Sequence, residues 1–546
     1  MEAKHASNGG ALGFEIPQAE QTPLVEQLLR IIQGLQDEND RLREEIDRLK
    51  GLPPTPTRSP RQPSMLGSDQ PPSKASPPKP KTTPDGKRPG SAKVHKTRAL
   101  HIHQTILLTP PNLSPHAQKI SQRDFIVQDL HIDNRNTCYR REVYRLPDGL
   151  IVSGALPPHV HGHFGPTLRS YILYQYYENH VTQPLIRQEL LDHGVQISAG
   201  QIDRILHEGH DAFHAEKDAL LPAARAVARY LHSDDTSARH CGQNYHTTGI
   251  GNELFATFTT TPTKSRINFL ELLRVPYDEY VVSDDTLEYL AYYELAQCWQ
   301  KRLQELVGAG PIIVHGQAEW QQQLDRWGIR GEEPRQLITE AALWGCLMVH
   351  DLYVHQPIIS DDAGQFKLLG YLHGLCWLHA ERNVARVVPL SAAQHETLER
   401  VRDEIWNYYQ RLKDYRLAPT PRKKRQLDRE FDALFLQRTG FVELNEALAR
   451  MHAKKAELLL VLEYPHLPLE NNLMERDMRE WAKTRKISAG TRSDLGRRCR
   501  DSFLSLKKTC RKLGVSFWEF LQDRIHGWRR ILPLGQLIQR RAEQGT

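Results

Sequence analysis

The run from Tyr230 to Leu273 constrains the fold most. Tyr230–Arg239, Asn244–Gly249 and Leu254–Thr260 read as three strands, the last rich in Phe and Thr. Ser265 then begins a helix that runs to Leu273. Three strands in succession followed by a helix point to an α+β core. They also put the carboxylates of Asp234 and Asp235 on the first strand.

Such a core needs a later, buried strand ending in an acid, and two Ser-Asp-Asp segments compete for the place. In Tyr280–Asp285 the apolar lead is short and runs straight into Thr286-Leu287-Glu288, so Ser283 or Asp284 reads as a helix cap. Gln356–Asp362 is the better strand, which selects Asp361, with Asp362 as its alternative. A third acid lies near the end of the chain, where Glu470 and Glu475 are five apart and do not share a helical face. Glu475 leads into a helical run with Met478 and Trp481, whereas Glu470 precedes Asn471-Asn472, a turn and cap. Asp234, Asp361 and Glu475 are therefore the candidate acids, on what reads as a ribonuclease-H-like core. Hard cations prefer carboxylate oxygens, and two Mg²⁺ or Mn²⁺ ions about 3.5–4 Å apart suit in-line attack on a phosphodiester. With 66 acids in the chain, spacing alone leaves ordinary surface carboxylates as a rival explanation.

The rest of the chain reads as several domains. Leu28, Leu35, Leu42 and Leu49 alternate with Val25, Ile32, Asn39 and Ile46 in a heptad pattern, the signature of a parallel dimeric coiled coil over 20–50. Residues 51–95 form a Pro-rich basic linker, too poor in apolar residues to fold. A small β-rich module is expected over 96–163; its His159, His161 and His163 lack the cysteines of a standard zinc set. Over 164–228 three helices are expected, the second capped by Thr182 and the third by Ser198. The last two are arranged like a helix-turn-helix with Gln201 and Arg204 facing a DNA groove. The core spans 229–530, with helical insertions at about 276–355 and 391–460, before a tail at 531–546. Beyond Glu475, a basic run holds Arg485, Lys486, Arg492, Arg497, Arg498, Arg500, Lys507, Lys508, Arg511 and Lys512; its density suggests phosphate contact. Cys376 and His379 form half a zinc site that needs two more ligands, or simply a buried structural pair. The net charge of +6 permits nucleic-acid binding, and seven scattered cysteines argue for a reducing compartment. No run approaches ~18 apolar residues, and no membrane association is expected.

In order along the chain, His163-Phe164-Gly165-Pro166, Ser233-Asp234-Asp235-Thr236, Lys264–Phe269, Ser360–Phe366, Cys376–Arg382, Asn471–Arg476 and Arg485–Ser488 resemble the insertion-sequence-sixty-six type of bacterial DDE transposase. The resemblance covers roughly 130–530. It implies a cytoplasmic, nucleoid-associated enzyme that cuts and joins double-stranded DNA at element ends, using Asp234, Asp361 and Glu475. It also implies Mg²⁺ or Mn²⁺ as cofactor, a homodimer and accessory transposition proteins as partners. The zinc motif of many members is reduced here to Cys138, so zinc is not expected there. A non-catalytic DNA-binding descendant and a nuclease without strand transfer are the alternatives.

Overall fold

The computed structural model describes residues 101–544, apart from 110, 112–116, 131, 158–161, 309, 353–355 and 368–371. The heptad run, the Pro-rich linker, His159 and His161 lie outside the described residues. The chain divides into two units, Met1–Gln128 and Asp129–Thr546. Described residues of the first unit carry no helix or strand, and their large apolar side chains are exposed.

Where a small β-rich module was expected, the described residues hold one hairpin of β1 (Val143–Arg145) and β2 (Ile151–Ser153). Gly149 closes its turn at φ +88°, with its N–H donating to the Leu146 carbonyl at 2.9 Å. Strands of three residues with both faces exposed bury no core, so this is a hairpin and not a packed module.

Helices α1 (Pro166–Tyr177), α2 (Gln183–Asp192), α3 (Ala199–His207), α4 (Asp211–Asp218) and α5 (Leu220–Arg225) follow. The Ser198 hydroxyl caps α3 by accepting the Gln201 N–H, and Ile202, Ile205 and Leu206 turn its apolar face inward. Next come β3 (Leu231–His240), β4 (Gln243–Gly251) and β5 (Ala256–Thr261), an antiparallel meander, and α6 (Arg266–Leu273), capped by Ser265.

The stretch expected to be a helical insertion at about 276–355 also contains strands. It holds β6 (Glu279–Val282), α7 (Asp284–Tyr292), α8 (Gln297–Val307), β7 (Ile312–His315), α9 (Gln317–Arg326) and α10 (Glu332–Val349). β6 and β7 pair with each other in their own two-stranded sheet, because α10 packs over the buried Tyr280, Val281 and Val282. Ser283 caps α7 in a reciprocal box with Thr286, so Asp284 opens a helix on that separate sheet.

The chain returns to the main sheet through β8 (Ile358–Ser360), a 3₁₀ turn at Gly364–Phe366 and β9 (His373–Leu375). Both new strands run parallel to β3, giving a mixed sheet of order β5-β4-β3-β8-β9. A second apolar core, built on the buried Trp377, gathers α11 (Trp377–Ala385), α12 (Ala392–Leu417), α13 (Pro421–Phe435), α14 (Val442–His452), α15 (Lys455–Leu458) and α16 (Leu460–Glu463). The Trp377 indole N–H donates to the Leu458 carbonyl at 2.9 Å, which ties this body to its own last turns.

The chain closes with α17 (Asn472–Ser488), α18 (Asp494–Lys512), α19 (Phe517–His526) and α20 (Leu534–Gln544). α17 lies on the meander through Met474, Met478 and Trp481, which pack with Phe258 and Leu504. Glycine permits that approach: a Cβ on Gly249 would sit 2.6 Å from the Met478 sulfur and 2.8 Å from that of Met474. No described helix is long and apolar enough to cross a membrane.

Candidate active site

β3 and β8 are adjacent and parallel, with Leu231 opposite Ile358 and His232 opposite Ile359. Asp234 lies just past the paired stretch and Asp361 directly follows β8, so both acids stand where parallel strands of an open sheet present ligands. Glu475 comes to the same place from the first turn of α17. Asn471 aligns that helix. Its side-chain oxygen accepts from His232 Nδ1 at 2.8 Å, its amide donates to the Ser233 carbonyl at 2.8 Å, and its backbone N–H reaches the Cys376 sulfur at 3.2 Å. Burial pushes the His232 imidazole down to about 4, so at neutral pH it is an uncharged donor. Asn471, expected as a turn and cap, stands at the N-cap position but makes no side-chain cap; it is a buried clamp between α17 and β3.

The acids repel one another. Asp234 is pushed up to about 7, chiefly by burial, then by Asp361, with Asp235 and Glu475 adding to it and the Asp235 N–H opposing. Burial also raises Asp235, against the pull of Lys264 at 3.7 Å and a hydrogen bond from the Gln365 amide. One Glu475 oxygen, Oε1, is buried without a hydrogen-bond donor. Its nearest basic atom is His379 Nδ1 at 3.6 Å, likewise buried without a hydrogen bond. Desolvation lowers the His379 pKa, and the Glu475 charge works in the other direction. Cys376, His379 and Glu475 offer ligand atoms all within 4.8 Å of one another, so the Cys-x-x-His pair converges on the third acid. Burial raises the Cys376 thiol to about 11, which keeps it protonated at neutral pH.

Neighbouring acids are occupied elsewhere. Asp362 turns to Lys367 at 2.6 Å and to Lys454, and Glu470 accepts the Tyr409 hydroxyl at 2.8 Å. Asp284 opens α7, after β6 of the separate two-stranded sheet.

The basic run divides. Lys486, Arg492 and Arg498 are exposed, as is Arg204 on α3, while Gln201 is half-buried. Arg485 donates to the Ser237 carbonyl and hydroxyl, and Arg497 to the Thr260 carbonyl at 2.7 Å, so both brace helices against the meander. The other members are buried or paired with acids of the chain. Arg500 and Lys507 are buried; Arg500 donates to the Ala489 carbonyl at 2.8 Å, and Lys507 pairs with Glu480 at 2.7 Å. Arg511 pairs with Glu178, and Lys508 and Lys512 face Asp477 at 3.6 and 2.8 Å. The physical reason is that α18 is covered on nearly every side, and its cations balance acids on α17 and at the end of α1. Gln365, Lys264 and Asn471 were not singled out as site residues by sequence reasoning; each lies inside a motif quoted above, but nothing local reveals its partner.

The model of the transposase IS66 family matches residues 329–498, which include Asp361, Cys376, His379 and Glu475. An uncharacterized protein of Sinorhizobium fredii, y4jO, is 38% identical over 329 residues, covering 59% of this chain and 100% of that protein. The chain belongs to the transposase IS66 family.

Proposed function

We propose that the chain is a DDE transposase that cuts DNA at the ends of an insertion sequence and joins the freed strand to a target. The observation carrying this reading is the convergence of Asp234, Asp361 and Glu475 from three distant segments, with one Glu475 oxygen buried and accepting no hydrogen bond. The strand order, an antiparallel meander extended by two parallel strands, supports a ribonuclease-H-like core.

The donor set fits Mg²⁺ or Mn²⁺: crowded carboxylates, with Glu475 Oε1 buried and accepting no hydrogen bond, His379 3.6 Å from it and Arg479 3.8 Å from the other oxygen. Two such ions would supply the charge that activates a water or 3′-hydroxyl and steadies the leaving oxygen. The protein's own part is positioning. Asn471 fixes Glu475 against β3, while Lys264 and Gln365 hold Asp235 to one side of Asp234. Lys486, Arg492 and Arg498 are free to meet phosphates, and α2–α3, as a helix-turn-helix, would bring Arg204 and Gln201 to element ends. The heptads at Val25–Leu49 would make the enzyme a dimer.

The test incubates purified protein with a labelled terminal inverted repeat and Mg²⁺, scoring nicking and joining separately. Cutting and joining that are lost in Asp361→Ala and kept in Asp284→Ala are expected. Activity that survives Asp361→Ala, or is lost instead in Asp284→Ala, overturns the assignment. Cutting without joining makes the protein a nuclease.

A further inference from the structure

Glu279, Cys346 and His350 form a second group of metal-ligand types, built on the separate β6–β7 sheet. Their ligand atoms all lie within 4.8 Å of one another. Cys346 and His350 are four residues apart at the end of α10, so their side chains project from one face. Glu279 opens β6 beneath them. Gly345 lets the two elements meet: a Cβ there would sit 2.3 Å from the Val281 carbonyl oxygen, so α10 rests directly on the strand backbone. The Tyr277 ring stacks on the His350 imidazole at 3.6 Å and 11°, which fixes the plane in which its nitrogens point. His350 Nε2 lies 2.6 Å from a Glu279 oxygen, and the Cys346 side chain is fully buried beside them.

We propose that Cys346 Sγ, His350 Nε2 and the Glu279 carboxylate are three ligands of a Zn²⁺ site, with water in the fourth position. A thiolate, an imidazole and a carboxylate together select zinc over the hard cations suited to the acid cluster. The thiolate and carboxylate neutralise the dication, and the thiol proton leaves to solvent as the Zn–S bond forms. Bond lengths of about 2.0–2.2 Å to nitrogen and oxygen would open the Glu279–His350 hydrogen bond by a few tenths of an ångström or more. The Arg274 guanidinium, which donates to the Glu279 carbonyl at 2.7 Å, opposes a cation here, so both anionic ligands are needed. A bound ion would pin the end of α10 to the start of β6. The competing account is a plain Glu–His pair beside a buried cysteine.

The experiment strips full-length protein with a chelator and titrates it with Co²⁺, a spectroscopic substitute for zinc. A thiolate-to-cobalt charge-transfer band saturating at about one equivalent, and displaced by Zn²⁺, is expected. The band should vanish in Cys346→Ser, persist in Cys376→Ser and weaken in Glu279→Gln, which keeps a hydrogen bond to His350. Zinc should raise the melting temperature of wild type and Cys376→Ser, raise that of Glu279→Gln less, and leave Cys346→Ser unchanged. No band, a band that survives Cys346→Ser, or one lost only in Cys376→Ser overturns the site. Cobalt affinity unchanged in Glu279→Gln removes Glu279 from it.

Discussion

Helix α17 carries two glutamates five positions apart, and their surroundings differ in kind. The side chains of Glu475 and Glu480 are 13% and 16% exposed, so burial does not separate them. Glu480 meets His180 at 2.9 Å and Lys507 at 2.7 Å, and these partners, His180 first, hold its carboxyl well below the usual carboxylate range. Glu475 instead shares its space with Asp234 and Asp361, and the Asp234 carboxyl is pushed up to about 7. Glu480, at the middle of the helix, has close counter-charges, whereas Glu475, in its first turn, has only the looser approach of His379 at 3.6 Å and Arg479 at 3.8 Å. That crowding of acids is what the proposed divalent cation would relieve.

Substitutions around the two glutamates should therefore differ in what they damage. The largest effect is expected at Glu475→Gln, where Mg²⁺-dependent cutting of end DNA falls to background while the melting temperature stays level or rises, because one repelling charge is gone. A gel assay beside a thermal melt checks both halves. Lys507→Ala should do the reverse around Glu480, leaving Glu480 and Glu178 without their buried cation and costing about 3–5 kcal/mol in denaturant unfolding. Glu480→Gln should cost less, and in a pH-dependent way. Its folded pKa is depressed, so its contribution is present above the unfolded value of about 4.3 and is lost as pH falls through the folded value. The gap in stability between wild type and variant should be widest at neutral pH and narrow below about pH 4, measured by urea unfolding across pH. The smallest effect on DNA cutting is expected at Asp362→Asn: its lysine partners place it outside the acid cluster, and a loss of no more than about 10–100-fold is predicted in the same gel assay.

Local chemistry was legible in the sequence. Ser198 and Ser265 cap helices where their hydroxyls announce it, and the α+β character follows from strand and helix patterns that a few neighbouring residues determine. The helix cap at Ser283 was legible too, because a serine ahead of a helical run offers its hydroxyl to the free N–H groups of the first turn. Partnerships across the chain were not. Asn471 reads as a cap in isolation, and only the approach of α17 to β3 makes it a clamp 239 residues from His232. The basic run reads as a solvated or phosphate-facing surface, yet Arg500 and Lys507 are buried, since nothing within α18 reports the acids of α17 and α1 that surround it. The β6–β7 pair was missed for a similar reason: two strands of four residues, far apart in the chain, give a signal no stronger than a short apolar helix turn.

Mn²⁺ binding decides whether the acid cluster at Glu475, and not the surroundings of Glu480, holds a divalent cation. Titration calorimetry on wild type, Glu475→Gln and Glu480→Gln, each confirmed as folded, gives the comparison. The prediction is that wild type and Glu480→Gln bind Mn²⁺ alike and Glu475→Gln does not. Equal binding by Glu475→Gln, or its loss in folded Glu480→Gln, would place the cation away from the acid cluster.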